Sequence, residues 1–170
     1  MKIDRLKTPK ENLIDLVNEA NATTLHPDDY EFSEPRIWIP PVGISEANTA
    51  IDVIALPTSG YLEQQSVYYQ RLGIDWIRPE EFLTVIYQHE DDEDPPTMES
   101  ILDAMSERLA LCEQPLYVVE PWPVLLPGEQ AFLTLRVSDL DLLYIGSRPL
   151  KLKRLLAEED STLYDATAYF

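Results

Sequence analysis

The chain has 170 residues, 45% of them hydrophobic, one cysteine, and a formal net charge of −18 from 31 Asp and Glu against 13 Lys and Arg. That composition suits one globular domain or two packed half-domains and excludes wholesale disorder; a lone cysteine excludes an internal disulfide or a cysteine-only metal site. No apolar run approaches the roughly 18 residues of a membrane span, the first residues lack the apolar core of a signal peptide, and the acidic field disfavours direct contact with nucleic acid or an anionic bilayer.

The first predicted element is a helix. Thr8-Pro9-Lys10-Glu11 combines a capping hydroxyl, a proline suited to the first helical position and a glutamate at N3. Leu13, Ile14, Val17 and Ala20 follow at helical spacing, giving a short one-sided helix that must lie against a sheet or a partner. Tyr30 and Phe32, then Ile37-Trp38-Ile39, read as strand, confined by Pro35, Pro40 and Pro41 to edges or extended connections. Ala50 to Ala55 is the clearest strand of this half. It runs into a turn at Pro57-Thr58-Ser59-Gly60, and Ser66 to Leu72 returns.

Phe82 to Tyr87 reads as a further strand, and His89-Glu90-Asp91-Asp92-Glu93-Asp94 as a solvated acidic linker. A second helix starts at Thr97 after Pro95-Pro96, with Ile101, Leu102, Met105 and Leu109 as its apolar stripe. Tyr117 to Val119, Val124 to Leu126, Phe132 to Val137 and Pro149 to Leu155 are predicted strands, and the alternation Leu150-Lys151-Leu152-Lys153 marks one wet face.

The same plan occurs twice. Asn12-Leu13-Ile14-Asp15-Leu16-Val17-Asn18-Glu19 returns as Ser100-Ile101-Leu102-Asp103-Ala104-Met105-Ser106-Glu107, and Glu34-Pro35 with Pro41 returns as Glu120-Pro121 with Pro127. Gly43, Gly60, Gly128 and Gly146 fall at turns in matching places. The predicted fold is therefore α+β, with two related modules, each a short helix followed by antiparallel strands. Residues 1–88 form the first module, 89–96 the linker, 97–156 the second module and 157–170 a C-terminal arm without periodicity.

Neither module carries a catalytic constellation. The acidic linker has clustered carboxylates but no glycine for the sharp turn of a calcium loop. His26 and His89 form no metal-ligand spacing with each other or with Cys112, and no nucleophile elbow or phosphate-cradling loop is present. No catalytic residue, metal ligand or cofactor is expected, and Cys112, at a helix end after Leu109 and Leu111, reads as a buried structural thiol. The candidate partner-binding residues are aromatic: Trp38, Trp76 and Trp122 beside prolines or strand ends, and Tyr164, Tyr169 and Phe170 in the terminal arm. The arm is expected to order on a neighbouring subunit.

The strings Ser59-Gly60-Tyr61, Val67-Tyr68-Tyr69-Gln70-Arg71-Leu72 and Leu142-Leu143-Tyr144-Ile145-Gly146-Ser147 resemble a family of virion structural proteins of tailed bacteriophages, of the large myophage type. The helix Leu13 to Ala20 and the Leu25-to-Asp29 turn match the same pattern, over most of residues 9–156. The stretch Leu62-Glu63-Gln64-Gln65 and the charged linker differ from it. The resemblance implies a non-enzymatic component of the particle's neck, tail or head surface, with other virion proteins and copies of itself as partners. It also implies localisation in the virion after synthesis in the host cytoplasm. A second reading, from charge alone, is an acidic nucleic-acid mimic that inhibits a host DNA-binding enzyme.

Overall fold

The computed structural model describes residues 3–43, 46–60, 63–75, 77, 83–87, 96–156 and 168–169, the last pair by backbone alone. In chain order the elements are α1 (Pro9–Asn21), β1 (Tyr30–Phe32), β2 (Arg36–Ile37), β3 (Thr49–Ala55), β4 (Gln64–Tyr69), β5 (Leu72–Gly73), β6 (Leu83–Tyr87), α2 (Met98–Arg108), β7 (Leu116–Val118), β8 (Gln130–Val137), β9 (Tyr144–Ile145), β10 (Ser147–Arg154) and β11 (Ala168–Tyr169). The fold is α+β. Val124 to Leu126, expected as strand, joins no ladder; Leu125 O accepts from Arg154 Nη1 and the Leu126 amide donates to Glu129 Oε2. Pro123 and Pro127 flank it, and proline has no amide hydrogen to offer a ladder.

Two compact units divide the chain: Met1–Leu72 with Asp139–Ile145, and Gly73–Ser138 with Gly146–Phe170. These boundaries differ from those expected. The strand before the linker groups with the second unit, and a seven-residue segment inside the expected second module groups with the first.

In the first unit, Thr8 and Glu11 close the capping box: Thr8 Oγ1 accepts from the Glu11 amide at 3.2 Å and Glu11 Oε2 accepts from the Thr8 amide at 2.7 Å. The helix ends in Ala22, left-handed at φ 52°, whose N–H donates to Asn18 O. The central strand is β3. On one side it pairs with β1 (Tyr30 opposite Ala55) and then β2 (Arg36 opposite Ala50), on the other with β4 (Ile51 opposite Val67), all antiparallel. The period-two alternation turns Tyr30, Phe32, Val53 and Val67 toward α1, where they form a core with Ile14 and Leu25.

The second unit repeats that wiring. Thr97 caps α2 by accepting from the Ser100 amide at 3.1 Å, Ile101, Leu102 and Met105 are buried, and Ala110 is left-handed at φ 58°. Strand β8 is flanked by β7 (Leu116 opposite Val137) and β10 (Leu133 opposite Leu150), again antiparallel. Then the copies diverge. The outer edge of β10 takes β6 in parallel, from Leu150 opposite Leu83 to Arg154 opposite Tyr87, and β6 takes β11 in parallel. Leu83 and Val85 are fully buried, each contributing roughly 1.5–3 kcal/mol on burial. That explains why this strand belongs to the second sheet.

Candidate functional site

Two features stand out on each unit, a proline-stiffened arm and a polar staple at the arm's root. The arms are residues 34–43 and 119–128. In the first, Trp38 N–H donates to Asn48 O at 2.9 Å, and its ring lies 4.6 Å from that of Tyr68, centroid to centroid. Both arms end in a left-handed glycine, Gly43 at φ 82° and Gly128 at φ 85°, a conformation that costs an L-residue about 1–2 kcal/mol. Between root and glycine the side chains facing outward are aliphatic: Ile39 is 85% exposed and Val42 fully so, while Val124 is 91% and Leu126 63% exposed. These four side chains are the arms' candidate contact residues.

At the roots, β1 and β7 leave their partner strands, and a side chain takes over the hydrogen bonding. In the first unit Ser33 N–H donates to Asp52 O and the Asp52 amide donates to Ser33 Oγ, both at 3.0 Å. The Asp52 carboxylate also accepts from Ser66 Oγ at 2.6 Å and Arg36 Nη2 at 2.8 Å. The Ser66 hydroxyl first, and then Arg36, hold this carboxyl below the usual carboxylate range against the cost of burial. In the second unit Val119 N–H donates to Thr134 O at 3.1 Å. Glu120 accepts from the Thr134 amide at 2.7 Å and from its hydroxyl at 2.8 Å. Those two bonds, the amide's the larger, lower the Glu120 pKa. The staple recurs with roles exchanged: acid on the central strand in one copy, on the arm in the other. A carboxylate held ionised in this way is a poor proton acceptor, so the Asp52–Ser66 pair joins strands rather than activating the hydroxyl.

A third polar centre lies where β4 ends. Arg71 is buried; its Nε donates to Thr49 Oγ1 at 2.8 Å and its Nη1 to Asp139 O and Asp141 O, each at 2.9 Å. Tyr69 Oη donates to Leu142 O at 2.8 Å, and burial raises the Tyr69 pKa well above the ordinary phenol. Asp141 is pushed up by burial, opposed by the amides of Tyr144 and Leu143 and by Arg71. This cluster seats Asp139–Ile145 in the first unit. Its chemistry is structural, a guanidinium satisfying main-chain carbonyls that leave the sheet.

Trp38 and Trp122 are half-buried at the roots of the arms, so the outward surface is carried by the aliphatic neighbours. Sequence reading missed those neighbours, because single Ile or Val residues between prolines carry no periodic signal. Trp76, Tyr164, Phe170, the acidic linker from His89 to Pro95 and the side chain of Tyr169 lie outside the described residues. The backbone of Tyr169 pairs with Ile86 of its own chain. Cys112 is buried. His26 is exposed, with Nδ1 accepting from the Asp28 amide at 3.4 Å. Among the described residues no cluster of three or more His, Cys, Asp or Glu is arranged to hold a metal, and no helix is long and apolar enough to cross a membrane.

Residues 4–158 match the model of a family of unknown function, DUF7941. The chain belongs to that family. The matched span covers both arms, both staples and Arg71. No curated protein matches the chain, and no solved structure does.

Proposed function

We propose that this protein is a non-enzymatic structural component of a tailed-bacteriophage particle, at its neck, tail or head surface, acting through subunit–subunit interfaces. The observation that carries an assembly role is the pair of matched arms, each presenting exposed aliphatic side chains from a support stiffened by prolines and stapled by a carboxylate. Two such arms suit a subunit with several neighbours. The place in a phage particle rests on the motifs Ser59-Gly60-Tyr61 and Leu142 to Ser147. The acidic surface fits the same role, keeping the free subunit soluble and off the genome.

Mass spectrometry of purified particles from the source tests this reading, with the chain expected at a stoichiometric copy number. Val42→Asp and Val124→Asp leave the fold intact, since both side chains are in solvent, and each is expected to reduce incorporation about tenfold by placing a charge in an apolar contact. Absence from the particles overturns the proposal. Salt-sensitive competition with duplex DNA for a DNA-processing enzyme would support nucleic-acid mimicry in its place.

A further inference from the structure

Strand β4 is the exposed edge of the first sheet. Its sequence, Gln-Gln-Ser-Val-Tyr-Tyr, has no charge and no proline, which are the usual means of protecting an edge. The opposite edge of the same sheet is guarded by Glu31, Glu34, Pro35 and Arg36. Ala55 N–H donates to Glu63 O, which sets the alternation along the ladder: the main-chain groups of Gln65, Val67 and Tyr69 face β3, and those of Gln64, Ser66 and Tyr68 face outward. Among the described residues no strand pairs with that outer side.

Beside it runs a groove of about 480 Å³, floored by β4 and walled by Leu13, Leu16, Val17 and Ala20 of α1. A strand edge beside an apolar helix wall suits an extended peptide: the edge supplies main-chain hydrogen bonds, and the wall holds alternate side chains. The second unit shows what this edge accepts. Strand β10 stands where β4 does, and its outer side takes β6, Leu-Thr-Val-Ile-Tyr, in parallel and in register over five residues. Charge narrows the occupant further. The groove and the adjoining hollow are lined by one acid, Glu63, and no Lys or Arg, within a chain of net charge −18. An acidic segment is repelled and a basic flank attracted.

We propose that the outer edge of β4 and the α1 wall form a strand-docking groove. Its occupant is an extended segment of a partner protein, lying parallel to β4, with apolar residues at alternate positions and basic residues at its flank. The arm of residues 34–43 meets β4 through the Trp38–Tyr68 ring contact, so Gln64 and Ser66, which do not make that contact, report the groove apart from the arm.

The probe is a synthetic peptide of residues 82–88 of this chain, carrying two lysines at its N-terminus, titrated into the ¹⁵N-labelled full-length protein. Saturable shifts are expected at the amides of Gln64, Ser66 and Tyr68 and along α1. N-methylating the peptide amides that face β4 removes edge hydrogen bonds and is expected to weaken binding at least about tenfold, whereas methylating the alternate amides changes it about twofold or less. Ala20→Lys, an exposed change in the groove wall, is expected to weaken binding about tenfold with the free protein's spectrum otherwise preserved. Absent binding, shifts confined to the second unit, or binding indifferent to which amides are methylated overturns the proposal. So does concentration-dependent self-association through Gln64 to Tyr69, which would make a second copy the occupant.

Discussion

Arg71 and Arg154 occupy similar places in the two units, Arg71 two residues beyond Tyr69, which pairs with Thr49 at the start of β3, and Arg154 one residue beyond Lys153, which pairs with Gln130 at the start of β8. Both are buried, and both donate through Nη1 to main-chain carbonyls: Arg71 to Asp139 and Asp141, Arg154 to Leu125. The carbonyls differ in origin. Arg154 holds the arm of its own unit, close in sequence, whereas Arg71 holds a segment almost 70 residues away. The same kind of donor thus meets backbone from different chain segments. The donor is alike in the two units, while the acceptor is whatever backbone lacks a strand partner in each.

The largest effect is expected at these two positions. Arg71→Met strands two carbonyls and the Thr49 hydroxyl and is expected to cost on the order of 3 kcal/mol; Arg154→Met is expected to cost about 2 kcal/mol. Thiol labelling of Cys112, the only cysteine and buried in the second unit, reports opening of that unit, and the NMR peak of Ile51 reports the first. If the comparison holds, Arg71→Met lowers the urea midpoint read at Ile51 and leaves Cys112 protected, while Arg154→Met exposes Cys112. Equal loss at both reporters from either change would mean that the units unfold as one, and the comparison would break.

A smaller effect separates the two staples. Asp52 and Glu120 both have folded-state pKa values below their ordinary ones, Asp52 chiefly through Ser66 and Glu120 chiefly through the Thr134 amide. A lowered acid contributes stability above its unfolded pKa, and that contribution is lost as pH falls through the folded value. Both units should therefore weaken below about pH 4. Asp52→Asn is expected to flatten the acid limb at Ile51 alone, and Glu120→Gln the limb at Leu133 alone, in urea midpoints measured from pH 6 to pH 3. Unchanged limbs would show that the staples act through shape and not through charge.

The smallest effect has the opposite sign. A left-handed alanine follows each helix, Ala22 as the C-cap of α1 and Ala110 just after the Leu109 C-cap of α2, where glycine is the residue of choice. Ala22→Gly and Ala110→Gly are each expected to raise stability by about 0.5–1 kcal/mol, read as an upward shift in thermal midpoint. A loss at either site would mean that the methyl group packs there.

Much of this architecture was legible locally. Thr8 with Glu11, the stripes at Leu13 to Val17 and Ile101 to Met105, and the alternation at Leu150 to Lys153 are short-range patterns, each caused by one buried face or one capped end, so the sequence by itself determined the elements and their doubling. It did not reveal the outward aliphatics of the arms, because exposure between prolines leaves no period to read. Nor could it place Asp139–Ile145 in the first unit or β6 beside β10. Those placements follow from long-range competition, in which stranded carbonyls find the Arg71 guanidinium and Leu83 and Val85 bury against the β10 sheet. Local patterns specify which face of an element must be covered. Only the tertiary structure decides what covers it, because burial is indifferent to distance along the chain.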